Sequence, residues 1–218
     1  TIVSGMTGTG KTEIIQALPT GLDLEGAANH KGSSFGRPLD EQPAQINFEN
    51  RIAIDLLKVE DQHPQSMVVL EDESRNIGAR HIPHYFADRM ATSQFVVIEM
   101  DFEERLERLW QEYVVERYLK TMAYFGANGE QAFANYLRES LLRVQKRLGG
   151  QRTKELMASM DNAIAIQHQD NFASHRHWLS LITKDYYDPM YNYQLDKKKE
   201  LVVFRGSREA VIEWLKRG

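Results

Sequence analysis

Five short apolar runs punctuate the chain, at residues 1–4, 22–24, 67–70, 94–98 and 201–204. Four of them lack polar alternation and suit strands buried on both faces, and Leu22-Asp23-Leu24 is read as a short strand. Between them the apolar residues recur at helical spacing. Residues 13–18 follow the first run, and in 48–60 Phe48, Ile52 and Leu56 share one face with Ile46 nearby. Asp101 is placed to cap a helix whose Phe102, Leu106, Leu109, Trp110, Tyr113 and Val114 form an amphipathic stripe to about residue 121. Residues 130–169 read as two helices parted at Leu148-Gly149-Gly150, and 171–183 as a shorter one. The four tyrosines of 186–194 are expected on a turn-rich loop, and Val211, Ile212 and Leu215 on a last helix begun at Gly206-Ser207. Strands alternating with helices at both ends of the chain predict an α/β fold, a mostly parallel sheet covered on both faces.

One stretch gives this sheet a function. Gly5-Met6-Thr7-Gly8-Thr9-Gly10-Lys11-Thr12 follows the first strand and opens the first helix, filling the pattern G-x-x-x-x-G-K-[ST]. In such a loop backbone N–H groups wrap a phosphate, the lysine reaches the terminal phosphates and the hydroxyl holds Mg²⁺. Gly8, Thr9, Gly10, Lys11 and Thr12 are therefore the expected phosphate-binding residues. The whole of 1–218 is read as one domain of the P-loop NTPase-like class, and 102–184 as a helical insertion or lid within it.

The third strand runs into Glu71-Asp72-Glu73. Carboxylates at a strand's carboxyl end, in a chain with a phosphate loop, suit a metal or a metal-bound water, so these three join Lys11 as catalytic candidates. Thr12 and Asp72 are the expected Mg²⁺ ligands. The long polar stretch 25–45 carries His30, Lys31, Ser33, Ser34 and Arg37, all suited to a second anion or to polar base edges, and Arg75 is grouped with them. Across the two helices of 130–169, Arg138, Arg143, Lys146, Arg147, Arg152 and Lys154 face only Glu139 and Glu155 in sequence, a cationic arm suited to an RNA backbone. The run Asp196-Lys197-Lys198-Lys199-Glu200 reads as a solvated turn.

Bulk properties narrow the choices. The chain has 218 residues and no cysteine, which removes disulfide and thiolate chemistry from this piece. Its formal charge of −4 gives no global pull on nucleic acid, so any such contact must rest on a local patch. No apolar run reaches membrane length, and the expected setting is cytoplasmic. A first strand beginning almost at Thr1 predicts an upstream domain. Phosphoryl transfer by a small-molecule or nucleotide kinase or NTPase and alkyl transfer with a diphosphate leaving group need almost the same residues, and a non-catalytic RNA-binding module is a third reading.

The phosphate loop is joined to Leu22-Asp23-Leu24-Glu25-Gly26-Ala27-Ala28-Asn29-His30-Lys31-Gly32-Ser33-Ser34-Phe35-Gly36, to Leu70-Glu71-Asp72-Glu73-Ser74-Arg75-Asn76-Ile77-Gly78 and to Tyr187-Asp188-Pro189-Met190-Tyr191. In these motifs the chain resembles the carboxyl-terminal part of the bacterial tRNA 2-selenouridine synthases. The resemblance implies a transferase acting on tRNA with 2-thiouridine at the wobble position, with geranyl diphosphate and selenophosphate as co-substrates and an upstream rhodanese-like domain carrying a catalytic cysteine. It implies that Gly8, Gly10, Lys11 and Thr12 cradle a phosphate group. Without that cysteine, geranyl transfer and tRNA binding are the parts of the activity expected of this piece.

Overall fold

The computed structural model describes residues 1–217. In chain order the elements are β1 (Ile2–Gly5), α1 (Lys11–Ala17), β2 (Gly21–Leu22), α2 (Leu24–Ala28), α3 (Gln45–Gln62), β3 (Val69–Glu71), β4 (Asn76–Ile77), β5 (Arg80–His81), α4 (His84–Ala91) and β6 (Phe95–Ile98). There follow α5 (Phe102–Trp110), a π-helical turn at Gln111–Glu116, α6 (Arg117–Phe125), α7 (Gly129–Leu148), α8 (Gly150–Ile166), α9 (His175–Ile182), α10 (Asp188–Asp196), β7 (Val202–Gly206) and α11 (Arg208–Leu215). None of the described helices is long and apolar enough to cross a membrane.

Two compact units are present. The first comprises 1–32, 40–100 and 194–218, and the second 33–39 and 101–193. The first is built on a parallel five-stranded sheet of order β2-β3-β1-β6-β7, with helices on both faces as the P-loop class requires. Successive residues of each central strand enter opposite cores. Ile2, Leu70 and Phe95 pack with Leu22, Phe48 and Ile52, whereas Val3, Val69 and Val96 pack with Ile14, Ile15 and Val211. Two apolar faces explain why these strands show no polar alternation. β7 differs: it lies at the sheet edge and alternates half-buried with exposed residues, so it is not the buried strand its Leu-Val-Val-Phe run suggests.

Two local expectations are corrected. Residues 22–24 do not continue as a strand, because the Asp23 carboxylate accepts a 2.6 Å bond from the Gly26 N–H and caps α2, which Asn29 closes in the left-handed region at φ 48°. The tyrosine-rich 186–194 is helical, not a loop. Pro189 lies just past the π-helical turn Thr183–Tyr187, which interrupts the regular i→i−4 ladder where a proline cannot donate.

The second unit is all helical around one aromatic core. Phe35 is inserted into it, stacked on Trp178 and Tyr113 with centroids 5.3 and 5.9 Å away and meeting Tyr136 edge-on. His175, fully buried, accepts a 3.0 Å bond from the Trp178 indole at Nδ1, and burial lowers its pKa to about 4, so it is a neutral core residue.

Candidate functional site

The phosphate loop closes at the carboxyl end of the central strand, with β3 and β6 paired on either side of β1. Gly8 at φ 90° and Gly10 at φ 76° take the left-handed backbone that turns successive amides inward. Gly5 is also constrained, since a Cβ there would strike the Thr9 hydroxyl and Ile98. Thr9 is buried and its hydroxyl donates to the Met6 carbonyl at 2.9 Å, so its side chain braces the loop and its contribution to a phosphate is its backbone. The Lys11 ammonium donates to the Gly5 carbonyl at 2.7 Å, lying across the loop it would share with an anion.

Acidic groups stand beside the loop. The Thr12 hydroxyl donates to Glu25 Oε2 at 2.8 Å, while Glu25 Oε1 accepts the Gly32 N–H at 2.5 Å. Glu73 approaches from the other side, so close to Gly32 that a Cβ there would collide with both carboxylate oxygens. Burial, and then the neighbouring Glu25 charge, pushes Glu73 up to about 8, with the Lys11 ammonium pulling the other way. Glu71 is fully buried; its Oε2 accepts the Leu24 N–H at 3.1 Å and its Oε1 has no partner. Burial, and then Asp23, pushes Glu71 up to about 9. The three carboxylates of the strand end thus have different surroundings, with Glu71 supporting the start of α2 and Glu73 facing the phosphate loop's neighbours.

Asp72 is committed elsewhere. Ser4 donates to its Oδ2 at 2.6 Å and Lys198 to its Oδ1 at 2.5 Å, and the Lys198 ammonium also lies 4.7 Å over the Phe95 ring. Thr12 and Asp72 are therefore held by different partners in the structure. Among the described residues no group of three or more His, Asp and Glu side chains is arranged to hold a metal ion. Glu25 and Lys198 are the residues sequence reasoning missed here. Glu25 had a local signal, as an acid in the first turn behind a capping aspartate, whereas Lys198 is 126 residues from Asp72 and its charged run looked solvated.

The expected second anion group is divided between the two units. His30 and Lys31 belong to the first, where His30 packs against Gly78 and Gln42 ties Ala28 to Ile77 through bonds of 2.8 and 3.0 Å. Arg75 also lies in that unit, exposed and 3.2 Å from Asp88. Ser33, Ser34 and Arg37 belong to the second. There Ser34 shares a 2.6 Å hydroxyl bond with Tyr187, and the Ser34 and Arg37 carbonyls accept from Arg143 and Arg117 at 2.8 and 2.9 Å.

The basic helices are more neutralised than their sequence suggests. Arg138 pairs with Asp161 at 2.8 Å, and Arg152 pairs with both Glu155 and Asp185. Asp161 and Asp185 come from nearly two turns further along α8 and from beyond α9, so the opposition is not limited to Glu139 and Glu155. Arg147 contacts the Tyr186 hydroxyl at 3.3 Å, and Lys146 and Lys154 are exposed.

Comparison with known proteins fits this arrangement. Residues 1–218 match the family model described as the tRNA 2-selenouridine synthase AAA domain. The chain is 46% identical over 219 aligned residues to the tRNA 2-selenouridine synthase of Shewanella frigidimarina, covering 98% of this chain and 59% of that protein. It is 44% identical over 217 residues to the proteins of the same name from Salmonella enteritidis and Salmonella typhimurium, covering 99% of this chain and 60% of theirs. The chain thus spans about 60% of the length of these relatives. No solved structure matches it.

Proposed function

The chain belongs to the tRNA 2-selenouridine synthase AAA-domain family, and from that premise we propose that it is the phosphate-loop part of a tRNA wobble-uridine-modifying transferase. In this reading the loop at Gly8–Thr12 holds the diphosphate of geranyl diphosphate. The sulfur of 2-thiouridine takes the geranyl carbon as the C–O bond breaks, the diphosphate leaves with the electron pair, and the N3 proton of the base passes to solvent. Lys11 and the loop amides offset the charge that grows on the departing oxygen. Selenophosphate acts in a later step that draws on an upstream rhodanese-like domain.

The observation that carries the reading is the Lys11–Gly5 contact within a loop whose glycines turn its amides inward, at the sheet edge where open α/β folds bind ligands. If Mg²⁺ accompanies the diphosphate, its protein ligands are Thr12 and Glu25, with Glu73 close by. In the structure Asp72 is instead paired with Lys198 and Ser4. A divalent ion there would neutralise the carboxylates that now share a hydrogen bond beside the loop.

The test is mass analysis of a 2-thiouridine-containing tRNA incubated with the chain and geranyl diphosphate. A geranylated nucleoside is expected with the parent chain and is lost in Lys11→Ala. No product from a folded chain that binds the tRNA would sink the transfer reading. Lys11-dependent turnover of ATP or GTP would put a nucleotide-hydrolysing function in its place.

A further inference from the structure

We propose that the second unit carries its own phosphate-group site, separate from the phosphate loop, made by the guanidinium groups of Arg37, Arg117 and Arg143. Arg117 is the first residue of α6. In the structure it lies on the Tyr136 ring, 3.8 Å from the centroid, and spends one N–H on the Arg37 carbonyl. Arg143 spends one on the Ser34 carbonyl and approaches the Ser140 hydroxyl at 3.1 Å. Each guanidinium has five N–H donors, so most of this capacity is left for another acceptor. The Arg117 Nε is buried with no partner.

The electrostatics point the same way. Burial lowers the pKa of Arg117 and of Arg143, and the positive neighbours add to it, Arg143 acting on Arg117 and Arg37 on Arg143. Glu139 opposes them weakly, 4.0 Å from Arg37 and 3.6 Å from Arg143. Arg143 lies within electrostatic reach of both Arg37 and Arg117, and Arg117 and Arg143 are held by main-chain carbonyls of one segment, so an added anion stabilises the group. A phosphate accepts from several planar guanidinium groups at once, which a lone carboxylate at these distances does not. The segment 33–39 is fixed for this task by Phe35 in the aromatic core and by Ser34 on Tyr187.

The phosphate group has two possible sources, an RNA backbone and a free diphosphate, and the experiment separates them. Arg37→Ala removes a side chain that is 64% exposed, and an Arg37→Ala/Arg143→Gln chain extends the loss. Binding of a tRNA is measured against salt, and protection by inorganic pyrophosphate is measured in a Lys11→Ala background, where the phosphate loop no longer contributes. If the source is RNA, the variants weaken tRNA binding about tenfold at low salt and reduce the slope of log K against log salt by about one. If the source is a diphosphate, the protection remaining in Lys11→Ala disappears instead. Unchanged tRNA binding and unchanged protection, in Arg37→Ala that melts with its parent, overturn the proposal. Because the phosphate loop is varied independently, this outcome leaves the transfer reading standing.

Discussion

Arg105 donates to both carboxylate oxygens of Asp188, at 2.9 and 2.8 Å, across 83 residues of chain. The arginine side chain is 4% exposed and the aspartate 17%, so the pair is held out of water where α5 meets the start of α10. Desolvating two ions makes such a pair a weak source of net stability, yet removing one partner strands the other charge.

Asp188→Ala is therefore expected to cost the second unit about 3 kcal/mol or more, whereas Arg105→Met/Asp188→Leu recovers most of that loss. Denaturant unfolding of the two variants checks this. A single variant as stable as the parent would show that the buried charge is not the constraint.

Phe35→Ala should destabilise the same unit by about 3–5 kcal/mol, the cost of emptying a core aromatic position. It should also free the segment 33–39, seen as faster amide exchange at Ser34 and Gly36. An unchanged unfolding midpoint would mean that the aromatic stack closes over the gap.

Lys198→Met leaves Asp72 with Ser4 as its remaining side-chain partner, and a loss of about 1–3 kcal/mol is expected in thermal or chemical unfolding. Adding Asp72→Asn should restore much of it, and the double-mutant cycle isolates the interaction. Additive effects of the two substitutions would contradict a direct pair.

Glu71 and Glu73 make stability depend on pH in one direction. Their folded-state values, about 9 and about 8, lie above the ordinary 4.5, so the fold favours their neutral forms. That contribution is complete below about pH 4.5 and is lost as pH rises through the folded values. Glu71→Gln, which mimics the protonated carboxyl, should flatten the fall in melting temperature between pH 5 and pH 9, by about the share of one titrating group. The parent slope retained in the variant would show that Glu71 ionises freely.

The positions of the central strands along the chain and the pattern of the phosphate loop were legible in the sequence because both are local. Val3 and Val96 read as strand residues from their immediate neighbours, and Gly8, Gly10, Lys11 and Thr12 form the phosphate-loop pattern by their own spacing and the glycines' backbone freedom. Side-chain partnership is different, since it depends on which distant segments the sheet and the helices bring together. Asp72 and Glu71 are adjacent in sequence but point to opposite sides of the strand end, so one meets Lys198 and the other the start of α2. In the same way the motif 29–37 looks like one cluster of donors, yet Phe35 takes part of it into an aromatic core while Glu25 keeps Gly32 beside the phosphate loop. Which acid lies beside the loop, and which arginines are brought together, were decided by packing.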